Sequence, residues 1–227
     1  MARRQAAIEA PERVARRESA PLDRDEFARL ANVSRETASR LETYADLLRK
    51  WQRAINLVSN DSLIDPWRRH FLDSAQLYRL VPPGTTRLVD FGSGAGFPGL
   101  VLSIMGLPDV HLVESDGRKC AFLREAARLT GAHVTLHEKR LESIVPFGTP
   151  VVTARGFAAL DQILGYAMPY LDLWPEPSTG IFLKGEHSEK ELTVALGKYN
   201  MRYEAIPSIA SDTGVVIRVE GHYHERV

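Results

Sequence analysis

Three glycines at alternate positions are the clearest chemical signal in the sequence. Gly92, Gly94 and Gly96 lie in DFGSGAGFPG (residues 90–99), between an apolar run typical of a strand and a segment typical of a helix. In a parallel sheet, ligands bind at the carboxyl ends of the strands, and glycines at such a turn let the ligand approach the backbone closely. The loop is therefore predicted to hold a small molecule.

The glycine spacing disagrees with two common nucleotide-binding loops. The dinucleotide fingerprint Gly-x-Gly-x-x-Gly would need glycine at position 97, which is Phe97. A P-loop would end in Gly-Lys-Ser or Gly-Lys-Thr, and this loop contains no lysine. The spacing therefore weakens an NAD interpretation and disfavours ATP hydrolysis.

Two acidic residues accompany the glycines. Asp90 precedes the loop, and Glu114 closes the next predicted strand, eighteen residues after Gly96. A carboxylate at that strand end can accept hydrogen bonds from both hydroxyls of a ribose, so the ligand is predicted to be a nucleoside. The whole arrangement is typical of S-adenosylmethionine-dependent methyltransferases. A nucleotide oxidoreductase and a glycine turn that only packs strand against helix are the alternatives.

Two kinds of base methylation are disfavoured. Methylation of cytosine C5 uses a covalent cysteine, and the only cysteine, Cys120, lies in a stretch that reads as a helix, where a packed thiol is expected. Methylation of exocyclic adenine nitrogens typically uses an Asp- or Asn-Pro-Pro-aromatic motif after the fourth strand. This chain has TARGF (residues 153–157) there.

The elements that position these residues follow from residue 81 onwards. Short β-branched runs at 87–91, 110–114, 133–138, 150–155 and 180–185 alternate with helix-like stretches at 98–105, 117–130, 157–171 and 187–199. This alternation predicts an α/β fold with a mostly parallel, doubly wound sheet. Together with the glycine loop and its two acidic residues, it predicts the Rossmann-like class I type of S-adenosylmethionine-dependent methyltransferase. The last two apolar runs flank a polar turn and predict a hairpin, hence an antiparallel C-terminal strand.

The chain before residue 81 has a different texture. Apolar residues recur every three or four positions from Asp23 to Ile55, which predicts two helices with a break at 32–34 and Ser34 as an N-cap. A third helix is predicted to begin at 62–65 and to end near Leu80. We therefore divide the chain into an arm (1–20), a helical cap (21–80) and a methyltransferase domain (81–227).

Composition limits the classes of protein to which the chain can belong. The 227 residues carry 29 Lys plus Arg against 29 Asp plus Glu, which argues against a histone-like binder. One cysteine rules out a disulfide-stapled fold. The chain has no run of roughly 18 apolar residues and no secretory signal. Residues 1–20 hold five Arg and three Glu, which predicts a disordered arm and disfavours an organelle-import peptide. The expectation is a cytoplasmic protein with no membrane segment, acting as a monomer.

The sequence resembles the GidB family, the bacterial guanine-N7 methyltransferases of small-subunit (16S) ribosomal RNA. The likeness covers about residues 25–200. It rests on DFGSGAGFPGLVLSI (90–104), the helical RHFLDS (69–74), NLV (56–58), VES (113–115), RLE (140–142), TAR (153–155) and LKG (183–185). The helical element is specific, because it is not a general methyltransferase feature.

The resemblance implies methyl transfer from S-adenosyl-L-methionine to guanine N7 in small-subunit ribosomal RNA, as the free RNA or within the 30S subunit. By position it places the cofactor pocket at Gly92, Phe97, Leu141, Glu142 and Arg155, with Glu114 on the ribose. Glu114 replaces the commoner Asp and Thr153 the commoner Ser, and both changes preserve the chemistry. Guanine N7 has a lone pair and no proton, so its attack needs positioning and no general base.

The sequence defines the pocket for the target base less well than the cofactor pocket. Asn56, His70 and Lys184 are the target-pocket candidates, although Asn56 and His70 equally suit structural roles in a turn or the core. The helical cap (21–80) is the expected RNA contact, because residues 1–80 hold 15 Lys or Arg against 12 Asp or Glu. Within it, Arg49, Lys50, Arg53, Arg68 and Arg69 could contact phosphates. The histidines at 222 and 224 lack a third ligand, so no metal site is predicted. A ribosome assembly factor and a methyltransferase with another acceptor are the alternative functions.

Overall fold

The computed structural model describes residues 20–175 and 177–226. The predicted N-terminal arm therefore lies outside the described residues, apart from Ala20. Within those ranges, no helix combines the length and the apolar character needed to cross a membrane.

One large sheet forms the centre of the fold. Its strands are β1 (Leu88–Phe91), β2 (Val110–Glu114), β3 (Val134–Glu138), β4 (Val151–Arg155), β5 (Thr179–Lys184), β7 (Tyr203–Pro207) and β8 (Val215–Glu220), and the short strands β6 (Tyr199–Asn200) and β9 (His224–Glu225) pair separately. The order in the sheet is β3-β2-β1-β4-β5-β8-β7. Strands β1 to β5 are parallel, and β8 is antiparallel to both of its neighbours. The predicted α/β class and antiparallel C-terminal strand are confirmed; β8 lies inside the sheet, with β7 at the edge.

Helices cover both faces of this sheet. They are α1 (Arg24–Ala31), α2 (Arg35–Gln52), α3 (Asp73–Ala75), α4 (Gly99–Ile104), α5 (Gly117–Thr130), α6 (Leu160–Asp172) and α7 (Ser188–Lys198). Successive strand residues bury opposite faces. Leu88, Leu112 and Ile181 join one apolar cluster, whereas Val89 and Phe182 join the other. The sequence of a strand that is buried on both faces is a nearly continuous run of apolar residues, so the positions of these strands could be predicted.

The N-terminal helices pack onto one face and share its core. The α1–α2 break was predicted at the right place: Asn32 adopts a left-handed conformation (φ 52°), and the Ser34 hydroxyl caps α2 by accepting from the Thr37 N–H. Phe27, Tyr44 and residues of α4 and α5 belong to the same cluster. The division into a cap and a methyltransferase domain stays a prediction.

The segment predicted as a third helix is more irregular than expected. It comprises 3₁₀ turns at Asn60–Leu63 and Gln76–Leu80, a π-helical turn at Trp67–Leu72, and the short α3 between them. The Asp65 carboxylate accepts from the Arg68 N–H at 3.2 Å. Ser62 is buried and contacts His70. Wide π turns often occur at functional sites, and this one carries His70.

Candidate active site

A cavity of about 720 Å³, the main cavity, opens at the carboxyl ends of β1, β2 and β4, where ligands bind in open α/β sheets. It brings together most of the residues singled out from the sequence, namely Gly92, Gly94, Phe97, Glu114, Leu141, Glu142, Arg155 and His70. Gly96, Asn56 and Lys184 do not line it.

The three loop glycines all have positive φ, at 62°, 58° and 99° in chain order, a conformation that L side chains rarely adopt. Their roles nevertheless differ. A Cβ on Gly94 would meet only the Gly92 carbonyl oxygen, at an ordinary contact distance of 3.7 Å, so the absence of a side chain there leaves room in the main cavity, which Gly94 lines. A Cβ on Gly96 would lie 2.7 Å from the Tyr44 hydroxyl. Gly96 therefore serves the packing of the N-terminal helices against the loop.

Glu114 is held in place by backbone donors. One carboxylate oxygen, Oε2, accepts from the Gly94 N–H at 2.9 Å, and Oε1 accepts from the N–H groups of Ser115 at 2.7 Å and Asp116 at 2.8 Å. A carboxylate has about four acceptor positions, so capacity remains for a ligand hydroxyl. The side chain that the sequence assigned to a ribose is thus oriented by the loop and lies on the cavity wall.

Asp90 has a structural position beneath the loop. It is fully buried, and its two carboxylate oxygens accept from the Thr153 hydroxyl at 2.8 Å and the Gly99 N–H at 3.2 Å. Burial raises the pKa of Asp90 to about 6. Asp90 connects β1, β4 and the start of α4 and does not line the main cavity.

Phe97 connects the loop to the helical cap. Its ring lies between the rings of Tyr44 and His70, with centroids 5.2 Å and 4.9 Å away and nearly parallel planes. The Arg155 guanidinium lies 4.8 Å from the same ring centre. The Tyr44 hydroxyl donates to the Ala95 carbonyl of the loop. The glycine loop is therefore supported by side chains of the helices that precede the sheet.

His70 is buried, and both of its ring nitrogens are engaged. Nδ1 lies 3.1 Å from an Arg155 guanidinium nitrogen, and Nε2 lies 2.8 Å from the Ser62 hydroxyl. Because a guanidinium can only donate, Nδ1 accepts and the ring proton is on Nε2. Burial, followed by the charges of Arg155 and Arg69, lowers the pKa of His70 to about 3. The imidazole is therefore neutral near pH 7, and its only lone pair is already used.

Lys184 and Asn56 lie in contrasting surroundings. The Lys184 side chain is 7% exposed, with Nζ 2.5 Å from the Glu191 carboxylate and 2.8 Å from the Ala158 carbonyl. These bonds tie the loop after β4 to the start of α7. Asn56 is exposed and directly precedes the segment 57–59, which lines the main cavity. Asn56 therefore lies at the rim, and Lys184 lines a second, smaller cavity beside the main one.

The basic residues expected to contact RNA divide into two groups. Arg68 and Arg49 form ion pairs at 2.8 Å with Asp65 and Asp46. Lys50, Arg53 and Arg69 are exposed. Three further basic residues line the main cavity and were not among the expected phosphate contacts: Lys119, Lys139 and Arg140. Two of them directly follow β3, so the rule that sites form at the carboxyl ends of strands had pointed to them.

Cys120 and the C-terminal histidines provide no chemistry at this site. Cys120 is buried in α5, its Sγ donates to the Glu114 carbonyl at 3.3 Å, and burial raises its thiol pKa to about 11. It is a packed thiol, as expected, and is unsuited to act as a nucleophile. Among residues 20–175 and 177–226, no three metal-ligating side chains come together.

Comparison with known proteins agrees with this geometry. The model of the GidB family, described as rRNA small subunit methyltransferase G, matches residues 37–213. The chain belongs to this family. As a GidB family member it is an S-adenosylmethionine-dependent methyltransferase of small-subunit ribosomal RNA. This confirms the resemblance, the enzyme class and the cofactor inferred from the sequence.

Two relatives illustrate the similarity. The chain is 53% identical over 195 residues to the ribosomal RNA small subunit methyltransferase G of Paramagnetospirillum magneticum, covering 86% of this chain and 94% of that protein. It is 54% identical over 198 residues to the protein of the same name from Rhodospirillum rubrum, covering 87% and 96%.

Solved structures support the fold alone. The ribosomal protein L11 methylase of Lactobacillus delbrueckii subsp. bulgaricus aligns with a TM-score of 0.53 at 17% identity, covering 66% of this chain and 77% of that one. The O-methyltransferase TomG of Streptomyces achromogenes, in complex with SAM, aligns with a TM-score of 0.52 at 11% identity, covering 80% and 89%.

Proposed function

We propose that this GidB family member methylates N7 of a guanine in small-subunit ribosomal RNA, using no general base. The observation that carries the proposal is the state of the acid–base side chains of the main cavity. The His70 lone pair accepts from Arg155, the Glu114 carboxylate accepts from three backbone N–H groups, and Glu142 accepts from the Tyr166 hydroxyl at 2.8 Å. Guanine N7 carries no proton, so an acceptor of this kind suits a site whose lining histidine, His70, already has its lone pair in use.

The main cavity fits the cofactor in size and chemistry. Its volume lies within the range of small-molecule sites, roughly 300–1,000 Å³. Gly92 and Gly94 provide bare backbone, Glu114 provides an acceptor for ribose hydroxyls, and Arg155 provides a cation for the methionyl carboxylate. When bound, S-adenosylmethionine supplies a methyl group on a cationic sulfur.

Further residues in and around the main cavity suit S-adenosylmethionine. Leu141 is buried and contributes an apolar surface suited to the adenine ring, and Glu142 follows it on the 3₁₀ turn after β3. Gly96 acts through the packing of the loop against Tyr44, and Phe97 through its contact with Arg155. The chain's residues thereby hold and orient the reactants, and catalysis rests on alignment of the N7 lone pair with the methyl group.

RNA is held by exposed cations around the opening. Arg53, just before the rim at Asn56, and Lys139 and Arg140 after β3 are exposed and can contact phosphates. The substrate class favours action in the cytoplasm, where ribosomal subunits assemble. A monomer suffices, because one chain supplies every side chain named for the site; sedimentation of the purified protein checks this.

The test is direct identification of the product. Purified protein is incubated with methyl-labelled S-adenosylmethionine and small subunits, or their RNA, lacking the modification. The RNA is digested, and the labelled nucleoside is identified by mass spectrometry. Label in 7-methylguanosine is expected, from the wild type and also from Cys120→Ala. Label in another nucleoside would refute the proposal, and absence of label despite cofactor binding would point to an assembly role.

A further inference from the structure

A second cavity of about 220 Å³ adjoins the main cavity on the far side of Arg155. Arg155 and Gly156 line both spaces, so the two are neighbours. The walls of the second cavity also include Asp73, Arg69 and the 210–214 loop. Gly156 has φ 61°, and a Cβ there would meet nothing within 4 Å. No side chain at residue 156 therefore stands between the two cavities, which leaves room for a molecule in each to meet the other.

Asp73 is the acidic side chain among the residues that line the second cavity. Its side chain is 18% exposed. Oδ1 accepts from the Gln76 side-chain amide at 3.0 Å and from the Ser208 hydroxyl at 3.3 Å, and both bonds orient the carboxylate. Oδ2 is 3.5 Å from the Arg155 guanidinium, a long contact. Oδ1 already accepts two hydrogen bonds, and the Arg155 contact is too long for a strong one, so the two acceptor positions of Oδ2 remain for ligand donors.

Burial and the neighbouring groups shift the pKa of Asp73 in opposite directions. Burial raises this pKa, while the charge of Arg155 and the hydrogen bonds that the carboxylate accepts lower it. A buried acceptor without full hydrogen bonding is costly, and a ligand that donates to it gains correspondingly. Arg69, exposed at the edge of the same cavity, is available for the phosphate of a nucleotide.

We propose that Asp73 is a specificity-determining residue, whose carboxylate accepts from the N1–H and N2 amino groups of the target guanine. This inference rests on the proposed function. Guanine is the base whose Watson–Crick edge presents two adjacent donors of this kind. Adenine presents an acceptor at N1, which a carboxylate repels. With that edge against Asp73, the N7 edge lies on another side of the base and is free to face the main cavity.

The same contact favours the transition state. The N7 lone pair forms the new N–C bond, the electron pair of the broken S–C bond stays on sulfur, and the positive charge passes from sulfur to the base. A carboxylate on N1–H and the N2 amino group is more favourable to the cationic base than to the neutral one. The contact therefore stabilises the transition state more than it stabilises the bound, neutral guanine.

The experiment combines a change in the enzyme with a change in the base. Small-subunit RNA is prepared with guanosine, or with inosine, at the methylated position found in the product analysis; inosine lacks the N2 amino group. Rates are measured for the wild type, Asp73→Asn, and the control Asp61→Asn, which removes a charge from an exposed acid of the same helical segment. Cofactor affinity and thermal unfolding are measured for all three proteins.

The wild type and the control should lose about tenfold or more in kcat/KM on inosine. Asp73→Asn should be about 100-fold slower on guanosine and should show less than a threefold inosine effect. An equal inosine effect in all three proteins would assign Asp73 a structural role only. If Asp73→Asn does not fold, a wild type that is indifferent to inosine overturns the inference. Formation of no 7-methylguanosine by the wild type would instead overturn the proposed function.

Discussion

Protonation of His70 should make the fold sensitive to mild acid. The ring has its proton on Nε2 and accepts from Arg155 at Nδ1, so a second proton has no acceptor and faces a guanidinium. With a folded-state pKa of about 3 and an unfolded value of about 6.5, the unfolded chain binds more protons between these limits. Stability is therefore greatest above pH 6.5 and is lost as the pH falls below it.

The magnitude follows from the two pKa values. Each pKa unit of difference corresponds to about 1.36 kcal/mol, and between pH 7.5 and pH 5.0 the His70 contribution to the free energy of unfolding falls by about 2 kcal/mol. Other groups titrate in the same range. Asp90, whose pKa is raised to about 6, acts with the opposite sign, because its stabilising effect grows as the pH falls below 6. A comparison of variants cancels such contributions.

The informative variant is His70→Gln, because an amide can accept from Arg155 and donate to Ser62 without titrating. Urea unfolding of the wild type and of His70→Gln is followed at pH 7.5 and pH 5.0 by tryptophan fluorescence. The difference in free energy of unfolding between the two proteins should shift by about 2 kcal/mol in favour of the variant at pH 5.0. The exposed-site control His133→Gln should stay within about 0.5 kcal/mol of the wild type. An unchanged difference for His70→Gln would refute the assigned tautomer and its contacts.

Three further predictions concern the loop, the packing of the cap and RNA binding. Gly94→Leu should weaken S-adenosylmethionine binding by at least about tenfold in calorimetry, since Gly94 lines the main cavity and its φ of 58° opposes any side chain in the present loop conformation; unchanged affinity would contradict the pocket assignment. Arg40→Met should lower the free energy of unfolding by about 2 kcal/mol in urea, because the guanidinium donates to three carbonyls at the ends of α4 and α5; a loss below about 0.5 kcal/mol would count against it. The double variant Arg53→Ala, Arg69→Ala should bind RNA more weakly and reduce the salt slope of binding by about 2; an unaltered slope would remove both residues from the RNA interface.

The strands and the loop were predictable because their signals are local. Buried parallel strands read as continuous apolar runs, and positive φ at Gly92, Gly94 and Gly96 demands glycine whatever surrounds the loop. The same holds for the N-cap at Ser34, which depends on a residue three positions away. The segment 60–80 was predicted less well, since its turns follow from contacts with Leu22, Phe27 and Tyr44, which no local pattern contains.

Residue types and spacing alone determined that this chain has a doubly wound sheet, a glycine loop with an acid after the next strand, and a single cysteine. Tertiary structure decided what each polar side chain does. Asp90 was sequestered under the loop, and Lys184 was paired with Glu191. His70 was made neutral by burial and by the charge of Arg155, which comes from β4, 85 residues away. Protonation state and hydrogen-bond partner depend on burial and on distant charges, and these exist only once the sheet and the helices before it have packed together.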